Sequence, residues 1–254
     1  MPSKTPNRNK DTTMNTAAIA SRPQAHNTAS AAPRVDLYAP IHKALRNFMC
    51  DTLCQVGRVD VNDADELQQA LAQCDQLLAL CEAHVHHENR FMHPAIEGRQ
   101  PAGSKRIAHE HEEHLQSIAE LRDEVAALRR AAEPALALRL YRHLALFVAH
   151  NFQHMHIEET AHNAALWAHY SDAELMQLHG RLMASIDPRE HLLVGRWMLP
   201  ALTPAERNAV VGGMKADAPP EAFMGLMAHI RPHMTGRSWA QLAQDFDLPN
   251  EAHP

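Results

Sequence analysis

Seven side chains stand out for the chemistry they could do together: His42, His84, Glu88, His111, His114, His154 and Glu158. Histidine accounts for 20 of the 254 residues, and imidazole is the commonest metal ligand among side chains. His84 and Glu88 stand four positions apart, as do His154 and Glu158. On a helix that spacing puts both groups on one face, one turn apart, where the pair can chelate one cation or bridge two. Five imidazoles with two carboxylates are more ligands than one ion usually takes, which favours two ions. A nitrogen-rich, thiolate-free set suits iron, with zinc, manganese and cobalt as substitutes.

Four helical segments between residue 36 and about residue 169 must position these groups. The first runs from about Asp36 to Val56, with Pro40 tolerated in its opening turn and an apolar stripe of Leu45, Met49, Leu53 and Val56. The second runs from near Asp63 to about Met92, where Pro94 stops it, and its stripe includes Leu67, Cys74 and Cys81. The third starts at Ser104, a good N-cap, and runs to about Ala131 with Ile107, Ile118, Leu121, Val125 and Leu128 inward. The fourth opens at Pro134, a favoured first helical position, and runs to about Ala168 behind Leu140, Leu144 and Phe147.

Each stripe, continued, runs into the polar residues. Three residues before Leu45 is His42; beyond Cys81 come His84 and Glu88; His111 and His114 fill the gap between Ile107 and Ile118; beyond Phe147 lie Asn151, His154 and Glu158. Buried carboxylates are costly without partners, and a bound cation satisfies several at once. In an up-down-up-down bundle the start of the first helix, the end of the second, the start of the third and the end of the fourth share one end. Measured from the opposite end, the polar groups all fall roughly 22 to 32 Å along, at about 1.5 Å per residue. They converge on one layer. His150, at the edge of its stripe, and His86, His87, His109, His156 and His162 read as solvated or supporting residues. His93 and Glu97 are set aside because Pro94 interrupts the helix, and Glu159 is expected to point to solvent.

Beyond Tyr170 the chain stays helical in shorter pieces. Ser171-x-x-Glu174, Asp187-Pro188-x-Glu190 and Thr203-Pro204-x-Glu206 each look like a capping-box start. The expected organisation is a disordered tail over 1–35, the metal-binding bundle over 36–169 and a C-terminal helical extension over 170–254. The tail is polar and lacks the apolar stretch of a secretory signal, and Met14 is an alternative start. Cys50, Cys54, Cys74 and Cys81 form no CxxC pair and read as buried free thiols, which suits a reducing cytoplasm.

The formal charge of −6 argues against a nucleic-acid binder. No run of about 18 apolar residues offers to span a membrane. A diiron bundle of the ferritin type wants two Glu-x-x-His motifs, and only Glu159 with His162 fits. HExxH, zinc-finger spacing, phosphate-binding glycine loops and the GxSxG elbow are all missing.

The stretches YAPIHKALR around His42, HVHHENRFMHP around His84 and Glu88, AHEHEEHLQSI around His111 and His114, and FVAHNFQHMHIEE around His154 and Glu158 together resemble the hemerythrin-like, or HHE cation-binding, family of bacterial type over about residues 36–169. The resemblance implies an all-α fold, a hemerythrin-type up-down-up-down four-helix bundle with a C-terminal helical appendage. It implies two iron ions, Fe2+ or Fe3+, joined by an oxo or hydroxo bridge. Glu88 and Glu158 would bridge them, and His42, His84, His111, His114 and His154 would be terminal ligands. One iron would keep an open position for dioxygen or another small diatomic ligand. Two spacings depart from the oxygen-carrying members: His-x-x-His where they have His-x-x-x-His, and His-x-x-x-Glu where they have His-x-x-x-x-Asp. The expected function is a binding protein for dioxygen, or a sensor of oxygen or redox state, with no catalytic residue assigned. The alternatives are a diiron oxidase, peroxidase or nitric-oxide-handling protein of stress protection, and an iron store or metal-dependent interaction module. The short cysteine-bearing N-terminal domain usual in relatives that repair iron-sulfur clusters is not visible.

Overall fold

The computed structural model describes residues 34–249, and every regular element among them is helical. The expected tail, with Met14, falls outside the described residues except for Arg34 and Val35. Arg34 pairs with Asp172 at 2.7 Å and donates to the carbonyls of Trp167 and Tyr170.

Helix α1 (Ala39–Arg58) begins where Asp36 accepts hydrogen bonds from the amides of Tyr38 and Ala39, with Pro40 in the first turn. Helix α2 (Ala64–His87) is capped by Asp63, whose side chain accepts from the amides of Asp65 and Glu66. It does not stop at Pro94. A π turn, Glu88–Met92, leads directly into α3 (His93–Glu97). The His93 amide reaches back five residues to the Glu88 carbonyl, and Pro94, which has no amide hydrogen, falls in the first turn of α3 where none is needed.

Helix α4 (Lys105–Arg130) starts at the expected place, but the Ser104 side chain does not cap it. Its hydroxyl donates instead to Glu97, which also accepts from the amides of Ala102 and Ser104 and so ties down the preceding loop. Helix α5 (Pro134–Ile157) passes through a second π turn, Glu158–His162, into α6 (Asn163–His169). There the Thr160 hydroxyl donates to the His156 carbonyl at 2.7 Å and the Asn163 amide to the Glu159 carbonyl at 3.2 Å. Side chains thus occupy carbonyls near the widened turn.

Helix α1 packs on α2 and α5, and α4 packs on the same two, which closes a four-helix ring. Its core includes Phe48, Met49, Leu77, Leu78, Leu121 and Leu144. A smaller apolar cluster of Tyr38, Met92, Ile96, Leu166, Leu175 and Leu178 covers one end and includes α7 (Asp172–Met183). The polar groups lie between these two apolar bodies.

The remaining helices are α8 (Pro188–Ala201), α9 (Pro204–Asp217), α10 (Pro220–Ile230) and α11 (Gly236–Phe246). Ser171 and Thr203 form full capping boxes with Glu174 and Glu206, while Asp187 caps α8 through the Arg189 amide alone. Helix α8 lies along α1, where Trp197 stacks on Phe48 with centroids 4.1 Å apart. Truncating such a buried indole costs about 3–5 kcal/mol. Lys43 pairs with Glu206 at 2.6 Å and His87 with Glu190 at 2.9 Å, so polar links also tie the later helices to the bundle. Of the cysteines, Cys74 and Cys81 are buried, but Cys50 and Cys54 are exposed on α1. Their four-residue spacing puts both on one outer face. No described helix is long and apolar enough to cross a membrane.

Candidate metal centre

Six of the seven residues singled out by spacing meet in the layer between the two apolar clusters. His42, His84, Glu88 and Glu158 offer one set of ligand atoms within 4.8 Å of one another, and Glu88, His111, His154 and Glu158 offer a second. Both carboxylates belong to both sets. His42 Nε2 lies 3.8 Å from Glu88 and 3.5 Å from Glu158. His84 Nε2 is 3.2 Å from Glu88, and His111 Nε2 is 3.3 Å from Glu88 and 3.8 Å from Glu158. His154 Nε2 is 3.4 Å from Glu158 and 3.0 Å from His111 Nε2.

These short distances leave the inward atoms poorly satisfied. Both oxygens of Glu88 and of Glu158, with Nε2 of His42 and of His84, are buried without a hydrogen-bond partner. Glu158 is fully buried and Glu88 nearly so. Desolvating two carboxylates side by side is expensive, and a cation is the partner their lone pairs and the imidazole lone pairs share.

The outward nitrogens are, by contrast, held. His42 Nδ1 meets Glu159 at 3.1 Å, His111 Nδ1 meets the side-chain Oδ1 of Asn89 at 2.8 Å, and His154 Nδ1 meets Glu110 at 3.0 Å. Fixing the outer nitrogen sets the ring and turns Nε2 inward, as in metal-ligating histidines. Glu159 is therefore not directed to solvent. Arg46 on α1 reaches across to clamp it, with Nη2 to Oε2 at 3.0 Å, and these two partners hold its carboxyl down at about 2 against the opposing effect of burial.

Burial pulls the His42 ring down, yet the hydrogen bond to Glu159 and the nearby charges of Glu158 and Glu88 outweigh it and raise the ring to about 9. Burial holds His84 at about 3, so its lone pair is free at neutral pH. For Glu158, burial and then the charge of Glu88 push the carboxyl up, the response expected of neighbouring buried acids.

His114 is buried too, but it joins neither set. Its ring sits edge-on to His154 at 4.6 Å and near Phe147 at 6.1 Å. On α4 it stands one turn below His111, toward the apolar seam.

Two histidines that spacing did not single out reach the layer: His93 and His162 are both buried. Five residues along a regular α-helix is about 140° round, which would carry His93 away from Glu88. The π turn brings it back, and His93 stacks on His111 with centroids 4.9 Å apart and planes at 7°. No pattern in the sequence announces that turn. His162 carried a readable signal, because His154, Glu158 and His162 continue one stripe at steps of four. His150, His86, His109 and His156 are exposed.

The family model for the hemerythrin HHE cation-binding domain matches residues 34–166. No curated protein matches the chain, and no solved structure does. The match spans the helices that bring His42, His84, Glu88, His111, His154 and Glu158 together, and a buried histidine and glutamate cluster able to bind metal lies within it. The chain belongs to the hemerythrin HHE cation-binding domain family.

Proposed function

We propose that this protein holds a non-haem diiron centre that binds dioxygen or senses oxygen or redox state. The observation that carries the reading is the sharing of Glu88 and Glu158 between two four-residue sets, with all their oxygens buried and unpartnered. In this reading Glu88 and Glu158 would be held in common, His42 and His84 would serve one ion, and His111 and His154 would serve the other. Residues 36–169 are the metal-binding unit and the helices from residue 170 onward are its extension. When bound, iron would supply reversible electron exchange and affinity for a diatomic molecule. The chain's own contribution is to orient the imidazoles through Glu159, Asn89 and Glu110 and to keep the layer dry between two apolar clusters.

Iron per chain in the purified, iron-loaded protein tests this, followed by the same analysis of His84→Ala and Glu158→Ala. Two irons, falling to one or none, is the expected result. No iron in protein purified with iron available would overturn the reading. Reduced iron-loaded protein mixed with oxygen should gain a visible charge-transfer band that deoxygenation removes.

One observation favours a second reading, an enzyme that turns over peroxide or nitric oxide. With His114 outside both sets, each set supplies two imidazoles beside the two shared carboxylates, which would leave room for a small molecule at either ion. Turnover of either molecule no faster than by free iron would sink it.

A further inference from the structure

His93 and His162 remain unexplained by the two four-residue sets. They are 6% and 2% exposed, and Nε2 of each is buried without a hydrogen-bond partner. With one oxygen of Glu158 they offer three ligand atoms within 4.8 Å of one another. Both rings are held in place. His162 Nδ1 lies 3.3 Å from the Tyr38 hydroxyl, so an oxygen sits at its outer nitrogen, as at His42, His111 and His154. His93 is fixed by its stack on His111 and meets His162 edge to face at 5.6 Å. Their neighbours toward the end of the bundle are apolar, among them Met92, Ile96 and Leu166. An aliphatic side chain at 93 would finish that packing at no polar cost, and one at 162 at the cost of the Tyr38 hydroxyl's partner alone, whereas two buried imidazole nitrogens facing one carboxylate ask for a partner of their own.

We propose that His93, His162 and Glu158 form a third cation position, for a divalent first-row ion that prefers nitrogen ligands. The proposal rests on the two-ion centre, because Glu158 is common to all three sets. A third divalent ion adds two positive charges without adding a carboxylate. Like charges held in one buried layer repel strongly. The third position is therefore the weakest and fills last.

The test is anaerobic titration of the metal-free protein with Co2+, with bound metal measured by equilibrium dialysis and elemental analysis. The native protein is compared with His93→Ala, His162→Ala and a control, His169→Ala, whose ring is exposed. Binding by exposed histidines is common to these proteins and cancels in the comparison. His93→Ala and His162→Ala should each lose one equivalent, the weakest, and leave the tighter two unchanged, while the control loses none at the centre. Should an alanine variant fail to fold, His93→Gln and His162→Gln are read in its place. If the variants keep all the equivalents of the native protein, the third position is overturned and the two-ion centre stands. If they lose more than one, the histidines belong to the main centre and the separate position is overturned. A native protein with no cobalt bound beyond its exposed histidines overturns both.

Discussion

The end of α2 and the end of α5 carry the same groups in the same order: a histidine, a glutamate one turn on, a π turn beginning at that glutamate, and a further buried histidine. They differ in how firmly the groups are held. On α5, His154 is 4% exposed and its outer nitrogen meets Glu110, and Thr160 and Asn163 occupy carbonyls around the turn. On α2, the His84 side chain is 13% exposed and makes no comparable hydrogen bond through its ring. The set that takes His111 and His154 therefore has both imidazoles anchored, whereas the set of His42 and His84 has one anchored ring. Two positions built from one repeated pattern need not be equal. The prearranged one should fill first, because less ordering is left to be done on binding.

The largest effects should come from the shared carboxylates. Glu158→Ala should abolish both ions and His84→Ala only one, as metal analysis would show; equal losses would mean that Glu158 is not shared. Next in size is the pH dependence. Below pH about 9 the metal-free His42 ring is protonated and must release its proton to bind. Affinity at the His42 position should fall by about tenfold for each unit of acidification from pH 8 toward pH 6, in calorimetric titrations run in several buffers. The His84 ring, already neutral, adds no such dependence over that range. A pH-independent second site would break the comparison.

A third test isolates the anchoring. Glu110→Gln should weaken the His154 position by about 10–100-fold without changing the number of ions, the usual cost of losing a partner to a ligand's outer nitrogen. Unchanged affinity would show that Glu110 plays no part in prearranging α5. The smallest effect concerns stability. Glu158→Leu should raise the denaturation midpoint of the metal-free protein slightly, since burial and the neighbouring charge of Glu88 already oppose its carboxylate. If the variant unfolds more easily, the carboxylate is serving the fold rather than a cation.

The helical stripes were legible because the apolar spacing of each bundle helix runs unbroken into its polar residues. That is how His42, His84, Glu88, His111, His154 and Glu158 could be picked out before any of them was seen to meet. Register beyond the glutamates was not legible. A π turn shifts the face by a fraction of a turn, and neither the turn nor the hydrogen bonds around it, such as that of Thr160 to the His156 carbonyl, are revealed by an apolar period. Pro94 therefore looked like a stop when the turn before it let the helix continue. Glu159 looked solvent-bound because its partner Arg46 is supplied by a different helix. His114 shares the inward stripe of α4 with His111, and stripe position alone does not say at which level of the bundle a polar layer ends. Stacking of Trp197 on Phe48 was equally out of reach, since it depends on where α8 returns across α1.

The most direct test of the central claim is iron content combined with electron paramagnetic resonance of the oxidised, iron-loaded protein. Two ferric ions bridged by Glu88 and Glu158 should be magnetically coupled, so two irons per chain should come with no signal from an isolated ferric ion. One iron per chain showing the signal of an isolated high-spin ferric ion would contradict the account.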